Sequence, residues 1–251
     1  MKKLLVIGIG AGNPDYITIQ AVKALNTVDV FFLMDKGRSK DTLIDLRRDI
    51  CERYITDRHY RFVEARSPER DRDDADYRAS VDDLNQARQR IFERLINEEM
   101  TDEECAAFLV WGDPALYDST LRILQAILAS GACTFEYEVI PGITSVQALA
   151  AQHKVALNQI GRSVEITTGR RLAAGQVSEA DSLVVMLDAQ DAYRQVADQE
   201  TEIYWGAYLG TPDEILISGR LKDVADEIER VRKTARLANG WIMDTYLLRK
   251  P

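Results

Sequence analysis

Three glycine-bearing segments carry the residue types and spacings best suited to binding a small molecule. They are residues 8–14 (Gly-Ile-Gly-Ala-Gly-Asn-Pro), 111–117 (Trp-Gly-Asp-Pro-Ala-Leu-Tyr) and 141–145 (Pro-Gly-Ile-Thr-Ser). Glycine lets the backbone approach a ligand, and a Thr-Ser pair at a helix start offers hydroxyls beside free backbone N–H groups. Each segment alone is typical of an ordinary turn or capped helix. Each also follows a short apolar run and precedes a helical pattern, which predicts that the three meet at one edge of a sheet.

The first segment resembles a dinucleotide-binding fingerprint but departs from it. That fingerprint requires a third small residue three places after the second glycine, where this chain has Asn13. Pro14 fixes φ and keeps the chain in a loop until Thr18, so no helix N-terminus directly faces a pyrophosphate. Asp35, at the end of the second predicted strand, still resembles the acid that binds the ribose of NAD. A nicotinamide-dependent oxidoreductase and a non-catalytic nucleotide-binding module therefore stay open.

The strands and helices that position these segments are predicted from the apolar pattern, in which short continuous runs alternate with stretches of helical spacing. Such strand, loop, helix, strand units place their loops at the carboxyl edge of a parallel sheet. We predict strands over residues 3–8, 28–34, 106–111, 136–140, 162–168, 182–187, 202–208 and 241–248, and helices over 18–26, 80–99, 118–130, 146–152, 189–199 and 221–234.

Residues 64–83 are rich in Arg and Asp and are predicted to form an exposed loop leading into a helix. The pattern changes after His153, which predicts a domain boundary near residues 153–160. The chain would then consist of an N-terminal α/β domain of residues 1–153 and a C-terminal α/β domain of residues 160–251.

Composition narrows the classes of function. The 251 residues, 46% of them hydrophobic, suffice for one large domain or two smaller ones. A net charge of -9 argues against nucleic acid as the main partner. Three scattered cysteines and two histidines favour neither a disulfide framework nor a metal site. No apolar run approaches the roughly 20 residues that span a bilayer, and the start lacks a signal-peptide core, so we expect a cytoplasmic protein without a membrane partner.

In order and spacing, the glycine segments resemble the signature segments of the tetrapyrrole (corrin/porphyrin) methylase family. The resemblance covers nearly the whole chain and rests on residues 6–15, 17–21, 112–114 and 141–145. It implies two α/β domains with the active site in the cleft between them. It also implies S-adenosylmethionine as methyl donor, S-adenosylhomocysteine as product, a tetrapyrrole substrate and a homodimer. The implied donor contacts are Pro14, Trp111, Gly112, Asp113, Leu116, Thr144 and Ser145 in the first domain, with Met186 and Leu209 in the second.

Residues 10–12, 31–37 and 204–210 most resemble one branch of this family, which acts in cobalamin biosynthesis. That branch methylates C-1 of precorrin-5 and expels the attached acetyl group as acetate, with water consumed. Methylation at another ring position remains an alternative.

Loss of the acetyl group requires a proton acceptor or a placed water. Asp35 and Tyr117 are candidates, because both are expected at the carboxyl ends of strands; a plain strand-end cap is an equally good interpretation of Asp35. The many carboxylates of the substrate could be bound by arginines such as Arg38 and Arg122.

Overall fold

The chain folds into two compact α/β units. The computed structural model describes residues 1–35, 41–68, 77–177, 179–196, 198 and 200–250. The first unit comprises Met1–Gly10 and Pro14–Thr144, and the second comprises Ala11–Asn13 and Ser145–Pro251. The predicted fold class is confirmed. Within the described residues, no helix is both long and apolar enough to cross a membrane.

The first unit is built on a five-stranded, wholly parallel sheet. Its strands are β1 (Lys2–Gly8), β2 (Val30–Asp35), β3 (Arg61–Arg66), β4 (Cys105–Val110) and β5 (Phe135–Ile140), in the order β3-β2-β4-β1-β5. The central strand β1 is buried from Leu4 onward, as expected for a parallel strand covered on both faces. The carboxyl ends of β4, β1 and β5 therefore lie side by side.

Helices cover both faces of this sheet, namely α1 (Ile19–Leu25), α2 (Asp41–Tyr54), α3 (Tyr77–Glu98) and α4 (Thr120–Ser130). On one face, Leu25 and Ile50 of α1 and α2 pack with Leu5. On the other face, Phe92 and Leu124 of α3 and α4 pack with Val6 in a second core.

Alternate residues of β1 thus supply the two cores. Helix α1 begins where predicted, because the Thr18 hydroxyl accepts a hydrogen bond from Ala21 N at 3.1 Å.

The second unit has a mixed sheet in the order β6-β7-β10-β8-β9. Its elements are α5 (Ser145–His153), β6 (Val164–Thr168), α6 (Gly169–Ala173), β7 (Ser182–Met186), β8 (Glu202–Ala207), β9 (Ile215–Arg220), α7 (Leu221–Asn239) and β10 (Asp244–Arg249). Its core joins Trp205, Tyr246 and Ile228 of α7. Helix α5 packs on β8, β9 and β10. The second unit consequently begins at Ser145, earlier along the chain than residues 153–160.

Several elements differ from the predictions. The helix predicted over residues 189–199 is wrong: only a 3-10 turn at Ala192–Gln195 forms there among the described residues, and Asp191 has a φ of +54° that interrupts helical geometry. Strands β3 and β9 and helix α2 were not predicted. Both strands lie at sheet edges, where half-exposed side chains alternate without a continuous apolar run. Of residues 64–83, the first three complete β3, Tyr77 begins α3, and 69–76 lie outside the described residues.

Candidate functional site

The first two glycine segments are joined directly at the carboxyl ends of β1 and β4. Gly10 and Gly112 form an isolated antiparallel bridge. Gly112 N donates to Gly10 O at 2.8 Å, and Gly10 N donates to Gly112 O at 3.3 Å. Gly10 has a φ of +83° and Gly112 of +69°, so both positions favour glycine.

The third segment packs against the other two so closely that side chains are excluded. A Cβ at Gly142 would overlap Gly112 O, and a Cβ at Gly8 would lie 2.6 Å from Gly142 N. Both are backbone atoms that cannot move aside independently. The three segments therefore lie together at one edge of the sheet, as their order along the chain predicted.

Asp113 links the second segment to the third. Its Oδ1 accepts from Ala115 N at 2.7 Å, and its Oδ2 accepts from Gly142 N at 2.8 Å. Such charge-assisted bonds are stronger than neutral ones. The carboxylate thus fixes the loops, and its effect on a ligand would act through their geometry.

Gly112 leaves free space beside the backbone of the second segment. Among the described residues, a Cβ built there would have only Thr144 Cα within 4 Å, at 3.6 Å. The backbone beside Gly112 is therefore open on the side where a side chain would project. Trp111 precedes Gly112 directly and Leu116 follows four residues later, and both are half-buried. This arrangement fits a ligand that packs against backbone and apolar surface.

Pro14 opens a 3-10 turn, Pro14–Tyr16, whose first carbonyl accepts from the Tyr54 hydroxyl at 3.4 Å. The six candidate donor contacts of the first unit are thus carried by the three glycine segments: Pro14, Trp111, Gly112, Asp113, Leu116 and Thr144.

The candidate catalytic residues lie on neighbouring strands of the same sheet. Asp35 is the last residue of β2, and its side chain lies outside the described part of the structure. Tyr117 follows β4, has a φ of +53° and is 45% exposed. Since β2 pairs with β4 in parallel, both positions are on the carboxyl side of the sheet. Arg38 lies outside the described residues, and Arg122 is exposed on α4.

In the second unit, Thr245 connects the candidate residues. Ser145 Oγ and Thr245 Oγ1 are 3.1 Å apart and share a hydrogen bond. Thr245 pairs across the sheet with Met186 of β7 and with Gly206 of β8. Sequence reasoning missed Thr245, because a threonine inside a strand carries no distinctive signal.

Leu209 is packed into the second unit. It is 5% exposed, and a Cβ at Gly206 would lie 2.7 Å from its Cδ2. A Cβ at Gly12 would overlap its carbonyl oxygen. The first glycine segment therefore contributes Gly12 to the packing around Leu209, while Met186 stays half-buried.

A buried charged network fixes the chain just after Met186. The Asp188 carboxylate accepts from Ala192 N and from the Tyr246 hydroxyl, each at 2.7 Å. Arg232 donates to the Asp188 carbonyl oxygen and, through Nε, to Asp244 Oδ2 at 2.8 Å.

The same arginine also contacts Asp191 at 3.1 Å. Burial raises the pKa of Asp244, and the Arg232 guanidinium opposes that shift. Trp205 Nε1 adds a further hydrogen bond to Asp244 at 3.1 Å. The network is an anchor in which each of the three carboxylates is hydrogen-bonded by described partners.

Comparisons with known proteins agree with this arrangement. The family model for tetrapyrrole (corrin/porphyrin) methylases matches residues 3–225. The precorrin-6A synthase [deacetylating] of a Sinorhizobium species is 52% identical over 100% of this chain and 96% of that protein. The cobalt-precorrin-4 C(11)-methyltransferase of Priestia megaterium is 22% identical over 98% of this chain and 90% of its own.

A solved structure shares the fold over nearly its whole length. It is a protein of Corynebacterium diphtheriae described as related to cobalamin synthesis, with a TM-score of 0.84 and 35% identity over 99% of this chain and 98% of that one. The family match spans both units and includes all three glycine segments. This chain belongs to the tetrapyrrole (corrin/porphyrin) methylase family.

Proposed function

We propose that the chain is an S-adenosylmethionine-dependent methyltransferase of cobalamin biosynthesis. It methylates C-1 of precorrin-5 and releases the attached acetyl group as acetate, which gives precorrin-6A. The observation that carries this proposal is the 52% identity, over the full chain, to a deacetylating precorrin-6A synthase. Membership of the family also sets aside the nicotinamide-dependent alternative.

The glycine segments of the first unit are proposed to hold the donor. When bound, the donor supplies a methyl group on a sulfonium. The space beside the Gly112 backbone, together with half-buried Trp111 and Leu116 in the same segment, supports a site for a partly apolar ligand. The proposed contacts are Pro14, Trp111, Gly112, Asp113, Leu116 and Thr144 of the first unit, together with Ser145, Met186 and Leu209 of the second unit.

The protein's main task is alignment, since methyl transfer to a ring carbon needs no covalent protein nucleophile. Holding two reactants in line lowers a barrier by roughly 7 to 11 kcal/mol. The close backbone packing at Gly8 and Gly142 supports this role, because it restricts the positions that the loops can take.

Electron balance places loss of the acetyl group before methyl transfer. Water adds to the acetyl carbonyl while a base takes its proton, the bond to C-1 breaks, and acetate leaves with the water oxygen. The electron pair left on C-1 then accepts the methyl group, so removal of the acetyl group creates the nucleophile. Asp35 and Tyr117 are the proposed groups for handling that proton.

The test of the overall reaction is its stoichiometry. The purified chain, incubated with S-adenosylmethionine and precorrin-5 in isotopically labelled water, should release equimolar S-adenosylhomocysteine and acetate, with the label in the acetate. S-adenosylhomocysteine formed without acetate would instead indicate methylation at another ring position.

The test of the base uses Asp35→Ala. Loss of a general base slows a reaction by roughly 10² to 10⁴, so acetate release should slow while S-adenosylhomocysteine affinity stays unchanged. Tyr117→Phe provides the matched comparison for the second candidate. An unaffected rate in Asp35→Ala would remove Asp35 from the mechanism.

We further propose a cytoplasmic homodimer that binds neither nucleic acid nor membrane. The family resemblance supports the dimer, and the net charge of -9 supports the absence of a nucleic-acid partner. Sedimentation equilibrium of the full chain should give twice the monomer mass. A monomer at all concentrations would contradict the dimer.

A further inference from the structure

Thr245 lies in the middle of the second unit's sheet, beside the donor contacts proposed for that unit. It belongs to β10, the central strand of the order β6-β7-β10-β8-β9. Its cross-strand partners are Met186 on β7 and Gly206 on β8. Residues directly opposite one another in an antiparallel pair lie on the same face of the sheet. The three positions therefore form one row on one face.

Helix α5 covers the face that carries this row. A Cβ at Gly206 would lie 2.8 Å from Leu149 Cδ1 of α5 and 2.7 Å from Leu209 Cδ2, so both leucines pack over this position. Ser145, the first residue of α5, places its Oγ 3.1 Å from Thr245 Oγ1. Thr245 therefore hydrogen-bonds one of the three contacts proposed for this unit, and the other two lie at its neighbours in the row.

Burial and the adjoining residue hold the Thr245 side chain in place. It is 3% exposed, and a β-branched side chain has a restricted choice of rotamers. The preceding residue, Asp244, faces the other side of the sheet. There it accepts hydrogen bonds from Arg232 Nε at 2.8 Å and from Trp205 Nε1 at 3.1 Å. The backbone that carries Thr245 is thus anchored from the opposite face.

The exposure of the two hydroxyls assigns the direction of their hydrogen bond. A hydroxyl donates once and accepts at up to two sites. The Thr245 hydroxyl is buried, and a buried donor without an acceptor is costly. Among the described residues, its side-chain partner is Ser145. Donation from Thr245 to Ser145 Oγ leaves the proton of the half-buried Ser145 hydroxyl for an acceptor outside the pair.

We propose that Thr245 is a positioning residue of the donor site, which holds the Ser145 hydroxyl so that it can donate to an oxygen or nitrogen of S-adenosylmethionine. The inference rests on the proposed function, because it takes Ser145 as a donor contact. Thr245 acts through Ser145 and does not itself contact the donor. Its loss should therefore matter only while the Ser145 hydroxyl is present.

The direct test is a double-mutant cycle followed by calorimetric titration with S-adenosylhomocysteine. Ser145→Ala should weaken binding by about tenfold, the scale of one hydrogen bond. Thr245→Val removes the hydroxyl, keeps the branched shape and should weaken binding by about threefold or more. The variant with both changes should bind like Ser145→Ala alone, because the two residues act as one unit. Unchanged binding in Thr245→Val, or losses that add in the double variant, would overturn the proposal.

The matched control is Thr167→Val, the same chemical change on another strand of this sheet. Thr167 is buried on β6, and its hydroxyl has no hydrogen-bond partner within the described part of the chain. It pairs with Val185, the residue before Met186, and so faces away from the row. Its loss should leave S-adenosylhomocysteine affinity unchanged. An equal loss in both valine variants would assign the effect to the sheet as a whole and contradict a specific role of Thr245.

Two further variants at the same position keep the test decisive. Thr245→Ser retains the hydroxyl and should bind more tightly than Thr245→Val. Failure of serine to restore any affinity would contradict a role for the hydroxyl. Thr245→Ala removes the hydroxyl in a smaller side chain and replaces the valine variant if urea unfolding shows that the latter does not fold.

Methylthioadenosine, which lacks the amino-acid part of the donor, locates the acceptor atom. If Thr245→Val binds this probe more weakly than the wild type does, the acceptor lies in the nucleoside. If only S-adenosylhomocysteine is bound more weakly, the acceptor lies in the amino-acid part. Both results support the proposal and differ only in the group that Ser145 contacts.

Steady-state kinetics separates positioning of the donor from a general loosening of the fold. Thr245→Val should raise the KM for S-adenosylmethionine by about threefold or more and leave the KM for precorrin-5 unchanged. Equal changes in both KM values would contradict a role confined to the donor site.

Failure of this inference is distinguishable from failure of the proposed function. A wild type that binds no S-adenosylhomocysteine contradicts both. A wild type that binds it, together with a folded Thr245→Val variant that binds it equally well, contradicts only the role of Thr245.

Discussion

The two units fix the loops at their strand ends by different means. In the first, backbone meets backbone: a Cβ at Gly8 or at Gly142 would overlap backbone atoms of the neighbouring glycine segments. In the second, the segment after Met186 is held by buried charges centred on Arg232. Backbone packing leaves an open surface at Gly112 that a ligand can use. The buried carboxylates around Arg232 are already hydrogen-bonded within the second unit, so this network contributes to stability and has little capacity to bind a ligand.

The largest expected effect is on the stability of the second unit. Arg232→Met leaves Asp244 buried without its cation, and breaking a buried pair in this way costs about 3 to 5 kcal/mol. Urea unfolding followed by tryptophan fluorescence should show this loss. Lys233→Met, at an exposed neighbouring position, should remain within about 0.5 kcal/mol of the wild type. Equal stability of the two variants would mean that the network does not anchor the unit.

In the first unit, the corresponding substitution is Gly142→Ala, which disturbs the backbone packing of the glycine segments. The added methyl overlaps Gly112 O, so the loops must separate, and overpacking of this kind costs roughly 1 to 3 kcal/mol. We expect S-adenosylhomocysteine affinity to fall by about tenfold or more, measured by calorimetry. Gly131→Ala is the control for backbone strain without overlap: its φ of +71° disfavours alanine, but among described residues its Cβ would have no atom within 4 Å, so it should lose stability and keep its affinity. Normal affinity in Gly142→Ala would contradict the role of tight backbone packing.

A smaller effect is expected from the only predicted donor contact that carries charge. Asp113→Ala removes the bonds to Ala115 N and Gly142 N, and hydrogen bonds to charged groups contribute about 1.5 to 3 kcal/mol each. Because the loops keep their glycine contacts, we expect only part of this loss in donor affinity. Asp113→Asn, which retains one acceptor, should fall between the wild type and Asp113→Ala. Unchanged affinity in both variants would separate Asp113 from the site.

The smallest effect on stability is expected for a partly exposed ion pair at the edge of the first unit. It is compared with the buried ion pair of the second unit. Arg61 hydrogen-bonds Glu104, whose side chain is 21% exposed, and this lowers the Glu104 pKa from 4.5 to about 2. A lowered folded-state pKa stabilises the protein above pH 4.5, and that stability is lost as the pH falls from 4.5 towards 2.

After allowance for solvent screening, Glu104→Gln should cost about 1 kcal/mol at neutral pH. The difference from the wild type should shrink in urea unfolding at acidic pH. A difference that grows on acidification would have the wrong sign and would refute the ion-pair explanation.

Continuous apolar runs made the central strands predictable. The runs that became β1 and β4 are buried on both faces, whereas the edge strand β5 is buried only at its two ends. The order of the three strands along the chain was enough to predict that three glycine segments meet. The edge strands β3 and β9 contain many exposed or half-buried residues, and helix α2 is rich in charge. None of the three therefore shows the apolar pattern from which an element is predicted. Among the described residues of 189–199 no α-helix forms, because Asp191 has a φ of +54° and the Asp188 side chain binds Ala192 N four residues later, a local competition that apolar spacing does not reveal.

The site was predictable where glycine and proline impose local geometry, and not where distant side chains meet. Thr245 joins Ser145 from 100 residues away, and Arg88 meets Ser119 across 31 residues, with no motif at either place. Helix α5 falls in the second unit because it packs on strands that come later in the chain.

The measurement that tests the central claim most directly is calorimetric titration of the full chain with S-adenosylhomocysteine, with NAD titrated in parallel. A methyltransferase whose glycine segments hold the donor should bind S-adenosylhomocysteine at one saturable site and give no response to NAD. Binding of NAD without binding of S-adenosylhomocysteine would contradict the assignment of the glycine segments and the function built on it.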